Sequence, residues 1–236
     1  MRAIRSSFFQ MLAYMRRDMM LFAACPAPIL AGLFFRYAIP FLEAVLADYF
    51  HMPAIISPYY RLIDVLFVMI TPTMFCFVSA MVSLEEADEK TAAYLFITPL
   101  GRTGYLSARL GLPAVIAFLV TVILLPVFKL TTFSSIAILL LAACGTLQGV
   151  IVALLVAALS SNRLEGMAIT KLSMLTVFGA VIPFFVKDSI QYALCPLPSF
   201  WIGKAGSENT LLYMFPAFAL SAIWICFLLK WYLRKM

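Results

Sequence analysis

Long runs of apolar residues, separated by short polar intervals, dominate this chain. A helix needs about 20 apolar residues to cross the hydrocarbon core of a bilayer. Six stretches reach or approach that length: 19–40, 62–84, 110–130, 134–159, 168–186 and 210–233. The second and third are clear. The first is broken by Pro26, Pro28 and Arg36, and the fifth is short and carries Pro183. Packed membrane helices tolerate proline because neighbouring groups satisfy the carbonyls it frees. The pattern predicts an all-α, polytopic membrane protein with six transmembrane helices in one domain, 1–236. The first run begins after Arg16, Arg17 and Asp18 and continues past Cys25, so it reads as a retained helix rather than a cleaved leader.

Residues 1–18 carry a different period. Ile4, Phe8, Leu12, Met15 and Met19 recur at spacings of three and four, with Arg2, Arg5 and Arg16 beside them. This predicts an N-terminal amphipathic helix lying along a membrane surface.

Composition agrees. Hydrophobic residues make up 64% of the 236, charged residues 12%, and mean hydropathy is +1.03. A soluble globule of this size cannot hide that much apolar surface. Disorder, a nucleic-acid-binding domain and an ordinary soluble enzyme are therefore excluded. The net charge of +6 matters through its distribution. With six spans, twelve Lys and Arg fall on the side of the termini and five on the other. The positive-inside rule then places both termini in the cytoplasm, with Trp201 and Trp231 at opposite interfaces. The five cysteines are scattered and form no CxxC pair, so they read as small buried hydrophobes.

The interval after the second span is the most informative. Four acids (Glu85, Glu86, Asp88, Glu89) stand within five residues. A short apolar helix follows, with Tyr94, Leu95 and Thr98 at helical spacing, and Pro99 stops it. Gly101 to Gly104 form a turn, and a new helix starts near Tyr105. An acidic start suits a helix N-terminus. The expected product is a cytoplasmic helix–turn–helix, 85–107, whose apolar face meets a protein partner.

These residues resemble the segment after the second span of ABC-2 type transporter permeases. Glu85, Glu86, Glu89, Thr91, Leu95 and Thr98-Pro99-Leu100 match the family form. Lys90 replaces the usual Gly before Thr, and Gly101 stands where Ser is frequent. Asn162 to Lys171, with its Glu165-Gly166 pair, resembles the fourth loop of the drug-export-like branch. Pro196-Leu197-Pro198-Ser199-Phe200-Trp201 resembles the family's external hairpin, which dips back into the outer leaflet between the last two spans (187–209). The resemblance implies a coupling helix that docks on a separate ATP-binding subunit through Glu85, Glu86, Glu89, Thr91, Tyr94, Leu95, Thr98, Pro99 and Arg102. It also implies a second permease chain as partner, anionic lipids under the N-terminal helix, and a bacterial inner-membrane location. The second and fifth spans would face the pathway, which makes Thr71, Thr73, Ser173 and Thr176 candidates for lining it.

The chain contains no Gly-x-x-x-x-Gly-Lys-Ser/Thr phosphate cradle. ATP and magnesium would therefore belong to the partner, and no cofactor or metal is expected in this chain. Two other function classes fit the sequence less well. An ion-coupled transporter or channel needs buried charge near mid-membrane, and the central thirds of the six runs lack it. An intramembrane enzyme needs convergent polar groups, and the only histidine, His51, has none beside it. Glu43, Asp48 and Asp64 read as solvated loop charges.

Overall fold

No water reaches the backbone inside a bilayer, so a spanning chain must satisfy its amides within helices. The computed structural model describes residues 2–15, 18–97 and 100–235, and all regular structure among them is helical. Arg16, Arg17, Thr98, Pro99 and the side chains of Arg2 and Arg5 lie outside the described structure. The N-terminal helix α1 is Arg2–Met15. Six helices are long and apolar enough to cross a membrane: α2 (Leu21–Phe50), α3 (Ser57–Asp88), α5 (Gly101–Phe128), α6 (Ser135–Leu159), α7 (Arg163–Phe185) and α9 (Leu211–Lys235). Between them lie the short helices α4 (Thr91–Ile97) and α8 (Pro198–Glu208).

The two largely buried spans, α3 and α6, form the centre, and the other four pack around them. Their close approach starts from a proline. Pro72 has no N–H to give the Val68 carbonyl, which is left without its helical partner. A Cβ on Gly145 would overlap that oxygen. One turn on, a Cβ on Gly149 would stand 2.9 Å from the Pro72 carbonyl carbon. Small residues allow such contact between membrane helices. The spacing Gly145-x-x-x-Gly149 is a sequence signal for it. Other prolines act alike. Pro113 withholds its N–H from the Arg109 carbonyl; the backbone widens to a π turn over Ser107–Gly111, and the Ser79 hydroxyl of α3 donates to that carbonyl. Pro40 follows a similar turn, Phe34–Ala38, in α2.

The contacts sort the loops onto two ends. At one end α1, the α3–α5 and α6–α7 connections and the end of α9 touch each other. At the other, Arg36 donates to the Lys129 carbonyl (2.9 Å), and Asp64 accepts from the amides of Leu130 and Thr131 (2.8 Å each) and the Thr131 hydroxyl (2.5 Å).

Four residues depart from their sequence expectations. Asp64 is 2% exposed and is not a solvated loop charge, because it holds the turn after α5 by these hydrogen bonds. Glu43 lies inside α2 and accepts from the amides of Ile55 (3.0 Å) and Ile56 (2.5 Å), closing the loop that follows. Asp48 also lies on α2, which runs ten residues past the expected end at residue 40. Arg36 is nevertheless level with the far end of α5, so the helix overshoots its neighbours. Met19 is exposed on the start of the next helix rather than on the apolar face of α1. Among the described side chains of α1, Met11 and Ser7 are buried, and Met11, with half-buried Phe8 and Leu12, joins the apolar cluster that includes Val78 and Met81 of α3 and Ala117 of α5.

Candidate functional site

The termini-bearing end holds a continuous charge network. The four acids do not open a helix, as the sequence suggested: three of them close the 29-residue α-helix that ends at Asp88. Carboxylates there oppose the negative end of the helix dipole. Two arginines compensate. Arg109, 2% exposed, makes a two-point contact with Glu86: Nε donates to Oε2 at 2.9 Å and Nη2 pairs with Oε1. Its Nη1 donates to the Ser7 carbonyl of α1 at 2.9 Å, and the Tyr105 hydroxyl donates to Glu86 Oε2 at 2.9 Å. Such bidentate, charge-assisted contacts fix geometry as well as adding attraction.

Arg163 is the second hub. Its Nη1 donates to Glu85 at 2.8 Å, its Nη2 pairs with Asp18, and its amide donates to Asp88 at 3.0 Å. Asp18 in turn accepts from the Leu21 amide, capping α2. The sequence pair Glu165-Gly166 is explained at this end. Asn162 caps α7 by accepting from the Glu165 amide (2.9 Å), and Glu165 reaches back to the Ser161 amide (2.7 Å), a near relative of the capping box. A Cβ at Gly166 would overlap Leu84, so glycine lets α7 close on α3. Lys235 finishes the array, its ammonium donating to the carbonyls of Ala157, Ala158 and Ser160 at the end of α6.

On this base stands α4. Thr91 donates to the Glu86 carbonyl (3.1 Å). Ala92, Leu95 and Phe96 face inward onto Tyr105, with the Phe96 and Tyr105 rings edge-to-face at 5.2 Å, and Arg102 lies over Phe96. Tyr94 and Ile97 face outward, 69% and 84% exposed. Tyr94 and Leu95 thus lie on different faces of the helix, Tyr94 outward and Leu95 inward. Glu89 is exposed, whereas Glu85 and Glu86 are half-buried and turned to the arginines. Thr98 and Pro99 lie outside the described residues.

Lys90 enters α4 with φ +58, a left-handed conformation that favours glycine. It stands where the resembling permeases carry Gly. Lys90→Gly should leave the thermal midpoint in detergent unchanged or raise it by an amount worth at most about 1 kcal/mol. Lys90→Val should lower stability by about 1–2 kcal/mol, because a β-branched residue resists that backbone.

The pathway candidates separate. Thr71 and Thr73 are fully buried between α3 and its neighbours, and Thr73 spends its hydroxyl on the Met69 carbonyl. Ser173 and Thr176 lie on α7 where it narrows to a 3-10 turn, Leu175–Ala180. The Thr176 hydroxyl donates to the Ser173 carbonyl and accepts from Gln148 of α6.

That turn seats α8. The Ser199 hydroxyl donates to the Thr176 carbonyl, and Gly203 lies against the Ala180 carbonyl. The Trp224 indole of α9 donates to the carbonyl of exposed Pro196 (3.0 Å) and Trp201 donates to Cys195 (2.8 Å), which ties the Pro196–Pro198 corner to α9 and α8. Lys204 is buried with its ammonium over the Tyr192 ring at 4.1 Å, bonded to the Tyr192 hydroxyl and 3.6 Å from Glu208. Desolvation works to lower its pKa. The Tyr192 hydrogen bond and Glu208 more than offset that, so Lys204 stays protonated above the ordinary lysine value.

The sequence reading missed Arg109 and Asp18. A signal for Arg109 exists: Tyr105 and Arg109 share a helical face just before an apolar run, within reach of the acids. Among the described residues no three His, Cys, Asp or Glu side chains gather as a metal site would require. The family model described as Rv2686c-like, "Fluoroquinolones export permease protein Rv2686c-like", matches residues 11–232. No curated protein and no solved structure matches the chain.

Proposed function

Because the chain belongs to the Rv2686c-like family of ABC-2 type, drug-export-like permeases, we propose that it is the membrane subunit of an exporter whose ATP is hydrolysed by a separate subunit. The observation that carries this reading is α4. It presents Tyr94 and Ile97 outward at the end where α1, α3, α5 and α7 are locked by the Arg109 and Arg163 pairs. An exposed apolar helix on a rigid polar base suits docking into a groove of a partner protein.

In this reading α4 is the coupling helix, and Glu89, Tyr94, Ile97 and Arg102 meet the ATP-binding subunit. Glu85 and Glu86 are positioning residues that pass its movement to α3, α5 and α7. Thr91 and Leu95 shape the helix, and ATP with magnesium stays on the partner. Both termini are cytoplasmic in a bacterial inner membrane. Arg2, Arg5, Arg16 and Arg17 hold α1 at anionic headgroups. The segment 187–209 is a re-entrant external hairpin around Pro196, Pro198 and Trp201. A second permease chain completes the pathway, with the exposed faces of α2 and α7 at the midline. The cargo is amphiphilic and drug-like, and fluoroquinolones are the first compounds to try.

Co-purification tests this reading. A co-expressed ATP-binding subunit should elute with the wild-type chain and be lost from Tyr94→Ala/Ile97→Glu, while membrane insertion stays normal. Equal recovery with the double variant would remove α4 from the contact.

A further inference from the structure

The last turns of α9 form a pocket that coupling to an ATPase does not use. Phe227 and Trp231 lie one turn apart, their rings 6.2 Å centre to centre, and Lys230 and Arg234 form a parallel pair beside them. With Lys235 they line an open groove of about 410 Å³ along one face of α9 at the termini-bearing end. Among the described residues no carboxylate lines it. Among the described residues neither Lys230 nor Arg234 takes part in an ion pair, in contrast to Arg109 and Arg163. The order along the helix is graded. Exposed Ile223 and Phe227 come first, then Trp231, then Arg234 and Lys235 at the end. A phospholipid carries the same gradient, from acyl chain through the glycerol region to phosphate. Aromatic rings belong at that middle depth, and cations one turn further meet the headgroup.

We propose that this pocket binds one anionic phospholipid. The phosphodiester sits on Lys230 and Arg234, and the glycerol and first acyl carbons lie along Trp231 and Phe227. The groove is large enough for the headgroup alone, so the acyl chains follow the exposed face of α9. A zwitterionic lipid is disfavoured, because its own ammonium would meet the two cations. The proposal shares with the functional reading only the assumption that α9 crosses a bilayer.

The site also touches the α4 region. Lys235 lines both this pocket and a neighbouring cleft of about 290 Å³ that includes Lys90, Phe96, Tyr105 and Tyr232. A headgroup beside Lys235 would hold the end of α9 where its ammonium already closes the end of α6.

The test uses the full chain, stripped of lipid in detergent. Native mass spectrometry counts bound lipid during titration with phosphatidylglycerol, phosphatidylcholine or inorganic phosphate. The first phosphatidylglycerol should bind wild type tightly and raise its thermal midpoint. Each cation near a membrane surface contributes about a factor of five to attraction, so Lys230→Gln/Arg234→Gln should bind roughly 10–30-fold more weakly. Lys187→Gln, at the opposite end, should bind like wild type. Equal binding by the double variant, or equal binding of phosphatidylcholine, would overturn the proposal. Competition by inorganic phosphate as effective as the lipid would also overturn it, because the pocket would then hold a soluble anion. The assay contains no ATP-binding subunit, so its failure would bear on the pocket alone.

Discussion

Arg109→Met should cost the chain on the order of 3 kcal/mol of stability, the cost of breaking a buried ion pair from one side. The guanidinium is nearly fully buried and serves Glu86 twice and the Ser7 carbonyl once. Methionine fills much of the volume but leaves the Glu86 carboxylate and the Ser7 carbonyl without that donor. The Tyr105 hydroxyl still donates to the carboxylate. At 236 residues this loss corresponds to a fall of roughly 6–12 °C in thermal midpoint. Glu86→Gln/Arg109→Met removes both charges and should recover about half of the loss. A midpoint for Arg109→Met within 2 °C of wild type, measured in the same detergent, would mean that the pair does not hold this end together.

Gly145→Leu should cost a similar amount, about 3 kcal/mol, by a different route. The obstacle is backbone: the Val68 carbonyl that Pro72 leaves free. A flexible side chain could move aside, but two helix backbones at the centre of the bundle must separate. Folded yield and midpoint should both drop, and Gly145→Ala should already be harmful. Gly111→Ala is the contrast, because a Cβ there meets nothing within 4 Å. It should be neutral or gain up to about 1 kcal/mol from helix propensity. Equal tolerance at both positions would contradict the close α3–α6 contact.

The parts of the fold that were legible are those the bilayer dictates. The six apolar runs became six long helices because length and hydropathy leave a spanning chain few alternatives. Their ends were harder to read. α2 continues to Phe50 and carries Glu43 and Asp48 with it, since a helix may overshoot the hydrocarbon wherever polar residues can meet water. The acidic cluster was visible at once, but its sense was reversed. Run by run, nothing separates acids that open a helix from acids that close one; the deciding partners, Arg109 and Arg163, lie 23 and 78 residues away from them. Asp64 shows the same limit, because its partners Leu130 and Thr131 are met only in three dimensions. Thr71 and Thr73 are polar positions inside a span, and their burial depends on α6, which local sequence does not place. The glycines were more accessible: Gly145-x-x-x-Gly149 beside a proline-bearing partner helix is a readable packing signal. Lys90 has the opposite lesson, a residue held in a backbone shape that its own identity would argue against.

The central claim is that transport through this chain draws on ATP hydrolysed elsewhere. Proteoliposomes holding the chain and its ATP-binding subunit, with no imposed ion gradient, test it most directly, with fluoroquinolone movement as the signal. The account predicts transport that requires hydrolysable ATP, persists with proton and sodium ionophores, and disappears with Tyr94→Ala/Ile97→Glu. Transport by the chain alone, driven by an ion gradient without any ATP-binding subunit, would contradict it.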